Sequence, residues 1–268
     1  MGPLKGPIQF TGSIGGIRCY YDKALQRWII STKGGSTKEL IKHNKAFARQ
    51  RENMNEFKVC SYWASQLQKS FLSLNHLYKG YYFPKIVKLG KAINKLDRMS
   101  SRGVRSLESS KFPELLTRIR FNMFYSFDEV FTHPYEVSFL EDKKTVTLKI
   151  FGLISNWDIH WPEKYDSFRI TLAIAQLSDW KWVKSKKCYE PVIENARMLS
   201  VSAYSQWRTH NTVSEDILLE ASFAEPALPK PGTTVMVGMG IEFSPTKVAP
   251  DTLNTWGNGT MKILECFA

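Results

Sequence analysis

The sequence predicts an α+β protein: an N-terminal β-hairpin and a helical hairpin, followed by a C-terminal antiparallel β-sandwich of the immunoglobulin-like kind. Three observations predict it. Before residue 35, two short β-forming runs lie between glycine clusters. Between Phe47 and Met99 the apolar residues recur at a helical period. From about Tyr135 the period drops to two, in seven short runs separated by turn-rich segments. The expected divisions are a β-hairpin arm at 1–35, a basic helical region at 36–131 and a sandwich at 132–268.

In the arm, 17–21 and 27–32 are rich in Ile, Tyr, Trp and Thr and are joined by a five-residue connection. A lone two-stranded hairpin is marginal in water, so this one is expected to lean on the C-terminal half or on a neighbouring molecule. Ser36 or Thr37 offers a helix cap. Phe47, Met54, Phe57, Cys60, Ala64, Leu67, Phe71 and Leu74 then step along one face of a long amphipathic helix. Gly80 breaks the pattern, Pro84 suits the first turn of a second helix, and Ile86, Leu89, Ile93 and Leu96 form its apolar stripe. The polar stretch 100–110 reads as a loop and 113–120 as a short helix. The expected strands are 135–140, 145–151, 168–177, 198–205, 217–223, 233–243 and 260–267.

Composition narrows the function classes. With 43% apolar, 23% charged and 13% aromatic residues, the chain has the make-up of a folded globular protein. No run of about 18 apolar residues occurs, which predicts no helical membrane insertion. The first ten residues lack a basic start and an apolar stretch, so cytoplasmic synthesis is expected. Cys19, Cys60, Cys188 and Cys266 are scattered, with no metal-ligand spacing, and reduced thiols are expected. Charge is uneven: residues 1–131 carry 23 Lys and Arg against 9 Asp and Glu, and residues 132–268 carry 14 against 16. Such asymmetry points to nucleic acid, an anionic surface or an acidic face of another copy.

No catalytic, cofactor-binding or metal motif stands out. The glycines at 12–16 and 238–240 lack the spacing of a phosphate-binding loop and read as turns or close strand packing. The five histidines show no i,i+3 or i,i+4 pair. Asp158 and His160 lie between Trp157 and Trp161, which reads as a loop tucking indoles onto a sandwich rim. Glu215 with Asp216 reads as a solvated turn. Trp180 and Trp182 share a face by strand alternation and raise a carbohydrate-binding alternative. Lys88, Lys91, Lys95 and Arg98 step by 3, 4 and 3 and place four cations on one helix face, an anion-binding candidate for nucleic acid.

The patterns GSIGG at 12–16, TKGGSTKELIK at 32–42 and RENMNEF at 51–57 resemble an uncharacterised bacterial protein family, and VGMGIEF at 237–243 is similar to it as well. The resemblance implies no activity, cofactor or catalytic residue.

The expectation is therefore a non-enzymatic structural or assembly protein without cofactor, virion-like or filament-like. It would associate with copies of itself or another assembly component and be incorporated into a larger assembly. The arm would dock through Ile17, Tyr20, Tyr21, Trp28 and Ile30, by edge pairing. Nucleic-acid binding through the basic helices is the first alternative, a carbohydrate-binding module the second.

Overall fold

The computed structural model describes the chain except residues 1, 4, 5, 7–9, 24, 33, 140–143, 162–164, 194–199, 210, 212, 225–230 and 245–257. It contains two compact units, Met1–Arg51 and Glu52–Ala268. The class is α+β. No helix among the described residues is long and apolar enough to cross a membrane.

In the first unit, β1 (Gly2–Pro3), β2 (Gly12–Ile14), β3 (Ile17–Asp22) and β4 (Arg27–Thr32) form an antiparallel sheet in the order β1-β4-β3-β2. The β3-β4 hairpin lies where the sequence predicts, but it is not alone: a short strand pairs with each of its outer edges. Ile14 faces Ile17 across a two-residue turn, and Gly15 takes φ 58° there, a conformation that favours glycine. The GSIGG segment is thus a tight hairpin turn. Next, α1 (Lys38–His43) is capped by Thr37, whose Oγ1 accepts from Leu40 N at 3.3 Å. Arg51 ties down its other end by donating to the carbonyls of Ile41 and Asn44 at 2.6 and 2.8 Å.

The second unit begins within α2 (Ala48–Ser70), which leads through a 3-10 turn at Leu72–Leu77 to α3 (Tyr82–Leu96). The helices run antiparallel, as contacts fall in reverse order: Glu56 with Lys91, Trp63 beside Gly90, and Gln68 with Tyr82. The buried face of α2 is Glu56, Val59, Cys60, Trp63, Ala64, Gln66, Leu67 and Ser70. This corrects the expected stripe at its start, because Met54 and Phe57 are 56% and 60% exposed. The buried row begins with Glu56, which a search for apolar residues skips. The loop after α3 is stapled by Asp97. Its carboxylate accepts from Met99 N and Ser100 N at 2.9 and 3.0 Å, and from Ser106 N at 2.8 Å.

Burial alone would raise the Asp97 pKa, but these hydrogen bonds hold it down at about 2. Its stabilisation is therefore present above the unfolded pKa, near 3.8, and is lost as pH falls through about 2. Asp97→Ala is expected to cost about 1–2 kcal/mol at neutral pH, allowing for partial solvent screening. Urea unfolding at pH 7 and pH 2.5 checks this: the gap between variant and wild type narrows at the lower pH.

Two short helices follow, α4 (Phe127–Val130) with a Ser126/Glu129 capping box and α5 (Ser155–Asp158). The strands are β5 (Glu136–Phe139), β6 (Thr145–Leu153), β7 (Ser167–Ser178), β8 (Trp180–Val183), β9 (Cys188–Pro191), β10 (Ser200–Tyr204), β11 (Arg208–Thr209), β12 (Glu215–Ser222), β13 (Thr233–Ser244) and β14 (Gly259–Phe267). All seven expected strands are matched within the described residues; 140, 198 and 199 lie outside them. The sequence reading missed the β8-β9 hairpin. Among the described residues the sheets are β10-β7-β13-β14, with β11 also on β7, and β12-β6-β5.

These two sheets share one core. Val146, Leu148 and Ile150 of β6 meet Ile170, Leu172 and Ile174 of β7 and Val235, Val237 and Met239 of β13. The other face of β7 and β13 presents Ala173, Ala175, Leu177 and Met236 to a second core, built with Trp63, Leu67, Phe71, Leu74 and Leu77. The arrangement is thus three layers: helices, large sheet, small sheet. This corrects the immunoglobulin-like order, in which both outer faces are free. Here β7 and β13 are apolar on both faces, so they occupy the middle of a sheet covered on both sides. The expected boundary at 131/132 falls inside this unit.

Candidate functional site

The sites follow from which side chains these layers leave unsatisfied. In the four-stranded N-terminal sheet, residues opposite one another share a face. The register pairs Ile14 with Ile17, Ile17 with Thr32, Cys19 with Ile30 and Tyr21 with Trp28. One face therefore carries Ile14, Ile17, Cys19, Tyr21, Trp28 and Ile30; Tyr21 and Trp28 meet edge to face at 5.5 Å. Tyr20 lies on the opposite face, opposite Ile29, with Arg18 over its ring. Among the described apolar residues of this unit only Cys19 and Ile29 are buried, while Ile14, Ile17 and Tyr21 are 66%, 45% and 45% exposed. The helical turns of the unit bury no residue. Burial in this sheet is thus confined, among the described residues, to one residue on each face, a small core for a sheet. The unit is also strongly basic, with 10 Lys and Arg against 2 Asp and Glu in residues 1–51.

The opposite character occurs on the outer face of the small sheet. There Leu218 and Phe151 are 66% and 58% exposed. Around them lie exposed Glu136, Asp216 and Glu220, with Leu218 opposite Lys149 and Glu220 opposite Thr147. Glu215 and Asp216 open β12 rather than a turn: Glu215 pairs with Arg208, and Asp216 accepts from Gly152 N at 2.8 Å.

The four cations expected on one helix face divide. Lys88 and Lys95 are exposed on α3, but the helix ends at Leu96, so Arg98 lies beyond it. Lys91 turns inward to Glu56, which is 1% exposed and also accepts from Gly103 N at 2.8 Å. Burial pushes the Glu56 carboxyl up, yet these bonds and the charges of Lys91 and Arg105 hold it below its usual value. Lys91 is thereby a structural partner; the exposed pair is what α3 offers an anion.

The tryptophans also divide. Trp161 stacks on Phe243 at 4.6 Å, whereas Trp157 is 68% exposed. Between them, Asp158 faces His133 Nδ1 at 2.9 Å and accepts from Ile154 N at 2.7 Å. Trp180 donates to Gln66 at 2.7 Å and packs beside Tyr62, and Trp182 lies edge-on to Tyr189. Both belong to the rim of the helical core rather than to an open platform.

Sequence reasoning missed one polar cluster on the helix-facing side of the large sheet. Glu242 of β13 is 1% exposed. Its Oε2 accepts from Arg169 Nε and Nη2 at 3.0 and 2.8 Å, and its Oε1 accepts from Thr171 at 3.1 Å. His76 Nε2 lies 3.1 Å from the same carboxylate, and the Arg169 guanidinium sits 4.8 Å from both the Tyr204 and Trp207 ring centres. Burial raises the Glu242 pKa, but the His76 and Arg169 interactions win and lower it. Both oxygens are occupied by internal partners, which suits a clamp between strands and helical layer. A charged residue inside the otherwise apolar run 235–243 of β13 was the signal. No group of three or more potential metal ligands occurs among the described residues.

No family model, no curated protein and no solved structure matches the chain. Fold and sites together define an α+β protein with a sheet covered on both faces and a basic N-terminal β-unit.

Proposed function

We propose that this is a non-enzymatic structural protein that assembles by docking its N-terminal sheet onto another copy. The observation that carries the reading is the exposure of apolar Ile14, Ile17 and Tyr21 around the buried Cys19 on one face of the N-terminal sheet. The acceptor is the outer face of the small sheet of the next copy. Its Leu218 and Phe151 supply apolar contact, and Glu136, Asp216 and Glu220 complement the basic donor. Each large side chain fully buried in such a contact contributes about 1.5–3 kcal/mol. Donor and acceptor are different surfaces, so the contact is head-to-tail and propagates as a ring or a filament. Virion-like or filament-like incorporation and the family resemblance of the N-terminal pattern belong to the same proposal.

Light scattering on the full chain at low salt tests it. Expected is a mass that rises with concentration and falls with added salt. Removing residues 1–35 abolishes the rise, and Tyr21→Asp or Leu218→Lys each weakens it about tenfold or more. Leu218 is exposed, so its substitution leaves stability within about 0.5 kcal/mol. A monomer at every concentration and salt overturns the reading, as does association indifferent to both substitutions.

A further inference from the structure

The backbone segments at Lys79 and at 121–123 pair: Lys79 N donates to the Phe121 carbonyl at 3.1 Å, and Met123 N donates to the Lys79 carbonyl at 3.0 Å. This pairing brings Tyr81 and Phe124, 88% and 63% exposed, to the same edge of the second unit. Lys79 Nζ lies 5.9 Å from the Phe124 ring centre and 6.0 Å from that of Tyr125. Arg118 and Arg120 line two adjoining clefts beside them. One cleft is completed by Lys85, Leu89, Leu115 and Met123, the other by Asn122, Tyr125, Ser126 and Lys262. Lys85, Arg118 and Arg120 are exposed, and none makes an ion pair among the described residues. Of the acids at this edge, Asp128 is held by Lys262 at 2.7 Å and Glu129 accepts from Ser126 N in the α4 cap.

We propose that the Lys79, Tyr81, Lys85, Arg118, Arg120 and Phe124 surface binds single-stranded nucleic acid. The argument is complementarity of two kinds. Unpaired cations in clefts take phosphates, and exposed flat rings between them take bases by stacking. In a duplex the base faces are already stacked, so these rings add nothing to duplex binding. An anionic membrane would use the same charges, but an interfacial anchor presents a continuous apolar helix face, whereas here two rings stand among cations. Its residues are not those of the N-terminal sheet or of the acceptor face, so this inference does not rest on the assembly proposal.

Fluorescence anisotropy of the full chain with a labelled thymidine oligonucleotide of about 20 nucleotides, and with a duplex of equal length, tests it. The basic N-terminal unit adds charge-driven binding to both probes, so the stacking residues discriminate. Expected is tighter binding of the single strand. Tyr81→Ala and Phe124→Ala each weaken it roughly 5- to 100-fold and leave duplex binding unchanged. Tyr81→Phe retains the affinity, and Trp157→Ala, at an exposed ring elsewhere, changes nothing. Arg118→Ala with Arg120→Ala lowers the slope of log affinity against log salt by about 1.4. The inference is overturned if the single strand fails to bind at about 50 mM salt, or if the Tyr81 and Phe124 variants bind it like wild type. It is equally overturned if anionic phosphatidylserine vesicles, and not the oligonucleotide, bind in a Tyr81- and Phe124-dependent way. Thermal melting of the variants is expected to match wild type, because both rings are exposed.

Discussion

Glu242→Ala is expected to destabilise the second unit by about 3–5 kcal/mol, the loss typical when one partner of a buried ion pair is removed. The carboxylate gathers two hydrogen bonds from Arg169, one from Thr171 and the contact with His76. Alanine removes all of them at once, from strands β7 and β13 and from the turn that carries the helical layer. Glu242→Gln keeps an acceptor for Thr171 and Arg169 but no charge, and is expected to lose about half as much. The pH dependence has a definite sign. Because the folded pKa is lowered, the contribution is full above the unfolded value, about 4.3, and fades as pH falls through the folded one. Urea unfolding at pH 7 and pH 3 reads both effects. Exposed Glu220→Gln, on the outer face of the small sheet, shifts stability by less than about 0.5 kcal/mol.

Gly259→Ala is the second large effect, with an expected loss of about 3 kcal/mol or more. A Cβ there would lie 2.2 Å from the Ile241 carbonyl oxygen and 2.6 Å from Leu77 Cδ2. The first obstacle is backbone of the neighbouring strand, and relief means prying β14 from β13. Asn122 donates to the Gly259 carbonyl at 2.9 Å, so the shift also strains the loop that leads to α4. Gly240→Ala meets only the side-chain tips of Leu74 and Leu77, each at 2.9 Å. It is expected to cost about 1–3 kcal/mol, the usual range for overpacking. Thermal unfolding separates them: at roughly 2–4 °C per kcal/mol for a unit of this size, Gly259→Ala melts about 6 °C or more below wild type. Equal shifts for the two would refute the backbone argument.

The helix period of α2 and α3 and the strand period of β5, β6, β7, β10, β12, β13 and β14 were legible in the residues themselves. Legibility failed where a polar residue does an apolar residue's work. Glu56 leads the buried row of α2, so a stripe drawn through apolar residues rotated onto Met54 and Phe57, which are exposed. The basic stripe failed for the same reason, since Lys91 is drawn to that buried carboxylate. The arm was read as a two-stranded ribbon because β1 and β2 are two and three residues long, too short to show alternation. Tyr81 and Phe124 are 43 positions apart and share an edge only through the pairing at Lys79.

The chain's periodicity and charge by themselves determined most of the element types and the basic N-terminal end, because each depends on residues close in sequence. Tertiary structure alone decided that β7 and β13 are covered on both faces, and that Glu242, Arg169 and His76 meet. Both follow from which distant surfaces are apolar and which buried charges need partners, and no local pattern carries that.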